Sequence, residues 1–282
     1  IADLKTRPDY AVQCHGILVG FIEVKAPGKG ADPRKFKNKH DKEQWAKLKA
    51  LPNLGYTDGN EFSLWRDGDL VGKVVKLNGD IATDGGAIVE APGLERLFDD
   101  FLGWEPIPPR SPKRLADLTA RLCRLMRDEV AEQLALGNPA LTDLADEWRK
   151  LLFPDADEQT FADGYAQAVT FGLLVARARG ISLSGGVTGA ANQIASTHSL
   201  IGAALLVLTL NTEGHDTLKT SIGTLSRVLE FVDWPKISKG KSEAWLYFYE
   251  DFLSVYDGQL RKKTGSYYTP PEVVTAMVGF VE

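Results

Sequence analysis

Two blocks of opposite character predict the fold class of this 282-residue chain: a mixed α/β sheet with a helix laid across it, then an all-α helical region. Up to about residue 100, short β-rich runs alternate with turn signals such as Thr57-Asp58-Gly59-Asn60 and Asp67-Gly68-Asp69. Beyond that point apolar residues recur at helical spacing, as at Leu115, Leu118, Leu122 and Leu125. Between the blocks, Trp104-Glu105-Pro106-Ile107-Pro108-Pro109 breaks both patterns. The expected domains are therefore 1–105, 110–258 and a last segment, 259–282.

The elements follow in order. Tyr10 to Gln13 and Ile17 to Val24 read as a hairpin through Cys14-His15-Gly16. Ile17 to Ile22 is apolar at both parities, so both faces of that strand are expected to be buried. Lys37 to Leu51 reads as a helix anchored by Trp45, Leu48 and Leu51, with Phe36 just ahead of it. Asn53 to Tyr56, Glu61 to Arg66 and Leu70 to Leu77 read as three further strands. Ser111-Pro112 opens the first helix of the second block as N-cap and N1. Further helices are expected near 140–152, 157–179, 192–211, 217–231 and 241–258. Gly180 to Gly189 is glycine-rich but lacks the GK[ST] ending of a phosphate loop, and is expected as a flexible connection.

Composition narrows the function classes. The chain is 44% hydrophobic and 25% charged, as soluble globular proteins are. The longest greasy run, Leu200 to Leu210, is too short to span a bilayer, so no membrane partner is expected. Cys14 and Cys123 lie far apart without a CxxC pattern, which suits a reducing cytoplasm and excludes a thiolate zinc site. The chain opens on Ile1 without a visible signal peptide and closes on a helical pattern, and is read as a piece of a longer protein. A net charge of −5 argues against nucleic-acid binding by bulk charge. Lys25 to Lys49, however, carries nine cations against Asp32, Asp41 and Glu43, a local excess of +6. Such a run is either a solvated face or a surface that meets phosphates.

Gly20-Phe21-Ile22-Glu23-Val24-Lys25 poses the chemical question. Glu23 and Lys25 share a face with Phe21, and burying either charge costs several kcal/mol unless it is paired, hydrated or bound to an ion. A structural ion pair would answer it. A metal site would answer it too, and needs a third residue. Asp9, in Arg7-Pro8-Asp9-Tyr10, begins the first strand opposite the end of the second. The hairpin then brings Asp9, Glu23 and Lys25 to one sheet edge. Two carboxylates there suit Mg²⁺, which takes oxygen ligands and keeps several waters. An ammonium beside them can orient water or neutralise developing charge.

Pro8-Asp9 followed by Glu23-Val24-Lys25 resembles the PD-(D/E)xK nucleases. That resemblance implies a mixed sheet with a flanking helix, metal ligation by Asp9 and Glu23, and catalytic roles for Asp9, Glu23 and Lys25. The helix bearing Gln44 is similar to one that follows the catalytic strand in many of these nucleases, which adds Gln44. Where several relatives have a tyrosine four residues later, this chain has Leu48.

A second motif lies near the end, Gly265-Ser266-Tyr267-Tyr268-Thr269-Pro270-Pro271-Glu272-Val273-Val274. As local structure it is a helix start: Thr269 as N-cap, Pro270 at N1 and Glu272 at N3. With Tyr249 to Leu253 and Arg261 ahead of it, it resembles the opening of gamma-type N6-adenine DNA methyltransferases. That resemblance implies that Tyr268, Thr269 and Pro270 help hold S-adenosylmethionine in the longer protein. The family's glycine-rich strand and [DNS]PP[YFW] motif would follow position 282.

Together the segments resemble single-chain type IIG restriction-modification enzymes. The implied partner is double-stranded DNA, with a recognition domain C-terminal to this chain. Other readings stand beside it: an inactive nuclease fold that only holds DNA, a methyltransferase with an accessory N-terminal domain, or a helical scaffold whose Glu23 and Lys25 form an ion bridge.

Overall fold

The computed structural model describes residues 5–85, 91–151, 154–197, 205, 218–240, 244–257, 273 and 277–278. The first turn forms where His15 and Gly16 both take positive φ, 51° and 78°. Two consecutive left-handed residues give the two-residue turn whose twist suits antiparallel strands. They join β1 (Tyr10–Cys14) to β2 (Ile17–Val24), with Tyr10 opposite Ile22 and a bulge between Val12 and Gln13. Asp9 stands one residue ahead of β1.

A 3₁₀ turn at Pro33–Lys35 leads from β2 into α1 (Lys39–Leu48), whose first turn is capped by the Asn38 side chain accepting the His40 N–H. The helix is shorter than Lys37 to Leu51 because cap and 3₁₀ geometry occupy its flanks. It returns the chain to β3 (Leu54–Thr57), which pairs parallel with β2. β4 (Glu61–Arg66) and β5 (Asp69–Lys76) complete an antiparallel meander. The mixed sheet runs β1-β2-β3-β4-β5.

Phe21, Phe36, Leu48, Leu54, Tyr56 and Trp65 form the core between α1 and the sheet. Trp45 stands edge-on to Trp65, at 4.9 Å between ring centroids, and to Tyr56, at 5.9 Å. On β2 a close approach demands glycine. A Cβ at Gly20 would lie 2.6 Å from Asn53 O and 2.9 Å from the Phe101 ring. Phe101 belongs to α2 (Leu94–Leu102), a helix that the sequence pattern did not predict. Asn53 Nδ2 joins this packing by donating to Val19 O at 3.0 Å and Phe101 O at 2.9 Å. Burial of both faces of β2 holds only in its middle. Val19, Gly20 and Phe21 are buried, Ile22 is half-buried, and Ile17 and Val24 are exposed.

Among the described residues beyond Gly103, every element is helical: α3 (Pro112–Ala135), α4 (Pro139–Leu151), α5 (Glu158–Ala178), α6 (Gly186–Thr197), α7 (Lys219–Glu230), α8 (Trp234–Ser238) and α9 (Ala244–Tyr256). Ser111 caps α3 as expected, its hydroxyl accepting the Arg114 N–H at 3.2 Å. Leu115 and Leu122 pack in the helical core, Leu118 lies against it, and Leu125 packs in the sheet's own core. α3 is thus shared by both. α6 begins at Gly186, so part of the glycine-rich stretch is helix rather than connection.

Candidate active site

The parity of β2 places Phe21 and Glu23 over α1, and Lys25 continues the same face just beyond the strand's end. Glu23 and Lys25 are both buried. The Lys25 ammonium donates to Glu23 Oε1 at 2.8 Å and to Gln44 Oε1 at 2.6 Å. A third acceptor, Asp41 Oδ1, lies 3.3 Å away. Asp9 enters from across the hairpin. Its Oδ2 accepts the Val24 N–H at 2.7 Å, and its own N–H points to Glu23 Oε2 at 3.3 Å. Asp9, Glu23, Lys25 and Gln44 therefore meet at the mouth of β2.

Burial pushes the Glu23 carboxyl above its ordinary range; Lys25 pulls it back, and the Asp9 charge raises it again. Burial also works against the Lys25 ammonium, but the Glu23 hydrogen bond and charge, reinforced by Asp41, outweigh it and raise its pKa. Lys25 is therefore a fixed cation. Asp41 resists burial in the same way: Lys29, whose Nζ lies 2.5 Å from Oδ2, and Lys25 hold its carboxyl below the ordinary value. The costly charge in the cluster is the one on Glu23.

Asp41 and Tyr56 belong to this constellation and were not singled out from the sequence. Asp41 sits three residues before Gln44 on α1, a spacing that puts both on one helix face. By sequence it reads only as one of the acids in the basic run. Tyr56 lies directly opposite Glu23 in the parallel β2–β3 register. It is 1% exposed, and its hydroxyl has no hydrogen-bond partner among the described residues. Burial, then the charges of Glu23, Asp41 and Asp9, push its pKa far up, so it stays a neutral donor.

The donor set fits Mg²⁺: oxygen ligands only, with Asp9 raising the cost of a charge on Glu23 that a cation would relieve. Among the described residues no group of three or more His, Cys, Asp and Glu is placed to hold a metal by itself, so such an ion would rely on water for much of its shell. Tyr268, Thr269 and Pro270 lie outside the described residues. Of that segment, Val273, Met277 and Val278 are helical and exposed. Cys14 and Cys123 are free thiols, and no helix among the described residues is long and apolar enough to cross a membrane.

Comparison with family models and with curated proteins gives no match. Among solved structures, the chain is similar to a DrdV–DNA complex determined by electron cryomicroscopy, with a TM-score of 0.40 and 19% identity. The similarity covers 96% of this chain and 25% of that one, so the chain spans about a quarter of that structure's length. A likeness that distant bears on neither fold nor function.

Proposed function

We propose that this chain is the Mg²⁺-dependent DNA-cleaving part of a larger protein. The observation that carries the reading is the buried Lys25 ammonium held between Glu23 and Gln44, with Asp9 locked onto the backbone of the same strand end. Asp9 and Glu23 would hold the ion. When bound it supplies a water of lowered pKa and stabilises charge on the phosphate. Lys25 keeps its proton and would exchange one of its three acceptors for the attacking water or a phosphate oxygen. Gln44 and Asp41 fix the direction in which it points. Exposed lysines after the strand would meet the DNA backbone.

The proposal extends to the longer protein. The Gly265 to Val274 motif supports an adenine-specific methyltransferase that uses S-adenosylmethionine, with Tyr268, Thr269 and Pro270 at its opening, and hence a type IIG-like restriction-modification enzyme with a further recognition domain. Asp9→Asn, Glu23→Gln and Lys25→Met in the full-length protein should each abolish cleavage while leaving methylation largely intact. Undiminished cleavage by the Glu23 and Lys25 variants would sink the assignment.

The saturation of Lys25 favours a second reading, the plain ion bridge. An ammonium has three N–H donors, and Lys25 has three acceptors within the cluster. Titration with Mn²⁺ separates the two: a nuclease site binds it near 1:1 or 2:1, and a bridge binds none.

A further inference from the structure

Thr6 is fully buried, although it lies three residues from an exposed Asp9. What holds it is Glu132, near the end of α3. Glu132 Oε1 accepts the Lys5 N–H at 3.0 Å, and Oε2 accepts the Thr6 N–H at 3.1 Å and the Thr6 hydroxyl. One carboxylate thus grips two consecutive backbone amides and a side chain. A carboxylate in the last turn of a helix is opposed by the helix dipole, so local helix energetics do not explain its place. Lys5 Nζ reaches the other way, to Glu43 Oε2 on α1 at 2.5 Å. Pro8, buried and fixed in φ, leaves little slack between this grip and Asp9. The same helix holds α7, where Glu129 accepts the Ser221 N–H at 3.2 Å.

We propose that Glu132 is a positioning residue for the Asp9/Glu23 site: by clamping Lys5 and Thr6 it sets where the Asp9 carboxylate meets the end of β2. This rests on the metal-site reading and adds to it a regulatory route. A displacement of α3 by the helical region, or by DNA bound to it, changes the separation of the two carboxylates. The helical region is then a control on metal binding and not only a spacer.

The Val24 amide reports the position of Asp9, because Asp9 Oδ2 accepts its N–H while the Lys25 N–H goes to Thr57 O. Hydrogen exchange by mass spectrometry on the full-length protein should show the peptide containing Val24 exchanging faster in Glu132→Ala, and to a lesser extent in Glu132→Gln and Thr6→Val. Mn²⁺ affinity should fall about tenfold in Glu132→Ala, as for residues that orient metal ligands from behind. kcat should fall with it while KM for DNA stays. Leu173→Ala, which opens the helical core on α5 and leaves the Glu132 contacts with Lys5 and Thr6 in place, is the stability control and should leave both Val24 exchange and Mn²⁺ affinity as they were. Where Glu132→Ala does not fold, Glu132→Gln and Thr6→Val carry the test. Unchanged Val24 exchange in the Glu132 variants, or equal acceleration in Leu173→Ala, overturns the proposal. Absence of Mn²⁺ binding by the unmodified protein overturns the nuclease reading instead, and exchange at Val24 still decides whether Glu132 positions Asp9.

Discussion

The Lys25 ammonium lies 2.6 Å from the amide oxygen of Gln44, across nineteen residues of sequence. The parallel β2-α1-β3 crossover makes that contact, since it lays α1 over the face on which Lys25 emerges. Gln44 is 2% exposed and Lys25 9%. In so dry a setting an amide is the neutral acceptor that holds an ammonium without cancelling its charge.

Gln44→Leu should therefore cost about 1.5–3 kcal/mol of stability, the range for removing a hydrogen bond to a charged group. Cleavage should fall about tenfold or more as Lys25 loses its direction. Urea unfolding and single-turnover kinetics measure the two effects. A variant as active as the parent would leave Gln44 as packing only.

Tyr56→Phe should act in opposite directions on stability and activity. Its hydroxyl is buried without a partner among the described residues, and removing an unsatisfied buried polar group should raise stability by about 1 kcal/mol. Tyr56 pairs with Glu23 across β2 and β3, and its phenol feels the charges of Glu23, Asp41 and Asp9, so it is a donor within the field of the site. Cleavage should slow. A group that costs stability and supports rate is kept for function; a destabilised Phe variant would show that the phenol is structural.

The hairpin, the site strand and the Ser111 cap were legible because each rests on a short-range rule: alternation, turn chemistry, capping. Asp9, Glu23, Lys25 and Gln44 could be named because a two-strand hairpin and one helix suffice to bring them together. Asp41 was missed for a physical reason. In the sequence it is one acid among many lysines, and only burial shows that Lys25 and Lys29 enclose it. Tyr56 depends on strand register, which hydrophobic pattern alone does not fix between β2 and β3. α2 was overlooked although Leu94, Leu97, Phe98 and Phe101 carry helical spacing, because the proline-rich break after it dominates the local pattern. The exposure of Val24 was hidden for a related reason: an apolar run shows how greasy a strand is, not how much of its length other elements cover.

The basic run after β2 should prove a phosphate surface. Lys35 and Lys39 are 80% and 90% exposed and sit at 3.6 Å from Asp32 and 3.8 Å from Glu43, loose pairs worth about 0–1 kcal/mol. Lys37 is exposed as well. Replacing all three with Gln should weaken DNA association and flatten its log–log salt slope by roughly 0.9 for each phosphate no longer neutralised. An unchanged slope would return the run to a solvated face.

The stability of the fold should depend on pH through the buried acid Glu129. Glu129 is 1% exposed and hydrogen-bonded to the Ser221 backbone and hydroxyl. Burial pushes its carboxyl from an ordinary 4.5 up to about 8, against the pull of Ser221 and Arg7. The folded state therefore binds a proton that the unfolded state has released between those two values. The resulting stabilisation is fully present below the unfolded pKa and is lost as pH rises through the folded one, by at most about 1.4 kcal/mol per pH unit. Asp32, Asp41 and Asp58, whose carboxyls are held below their ordinary 3.8, contribute in the opposite sense, and only at lower pH. Glu129→Gln keeps an oxygen for Ser221 and removes the proton. Its stability should fall less steeply than the parent's from pH 5 to about 8, since the raised Glu23 and Asp67 carboxyls titrate in both proteins, and should exceed the parent's at the alkaline end. Parallel stability curves for the two proteins, measured by urea unfolding across that range, would show that Glu129 is ionised in the fold.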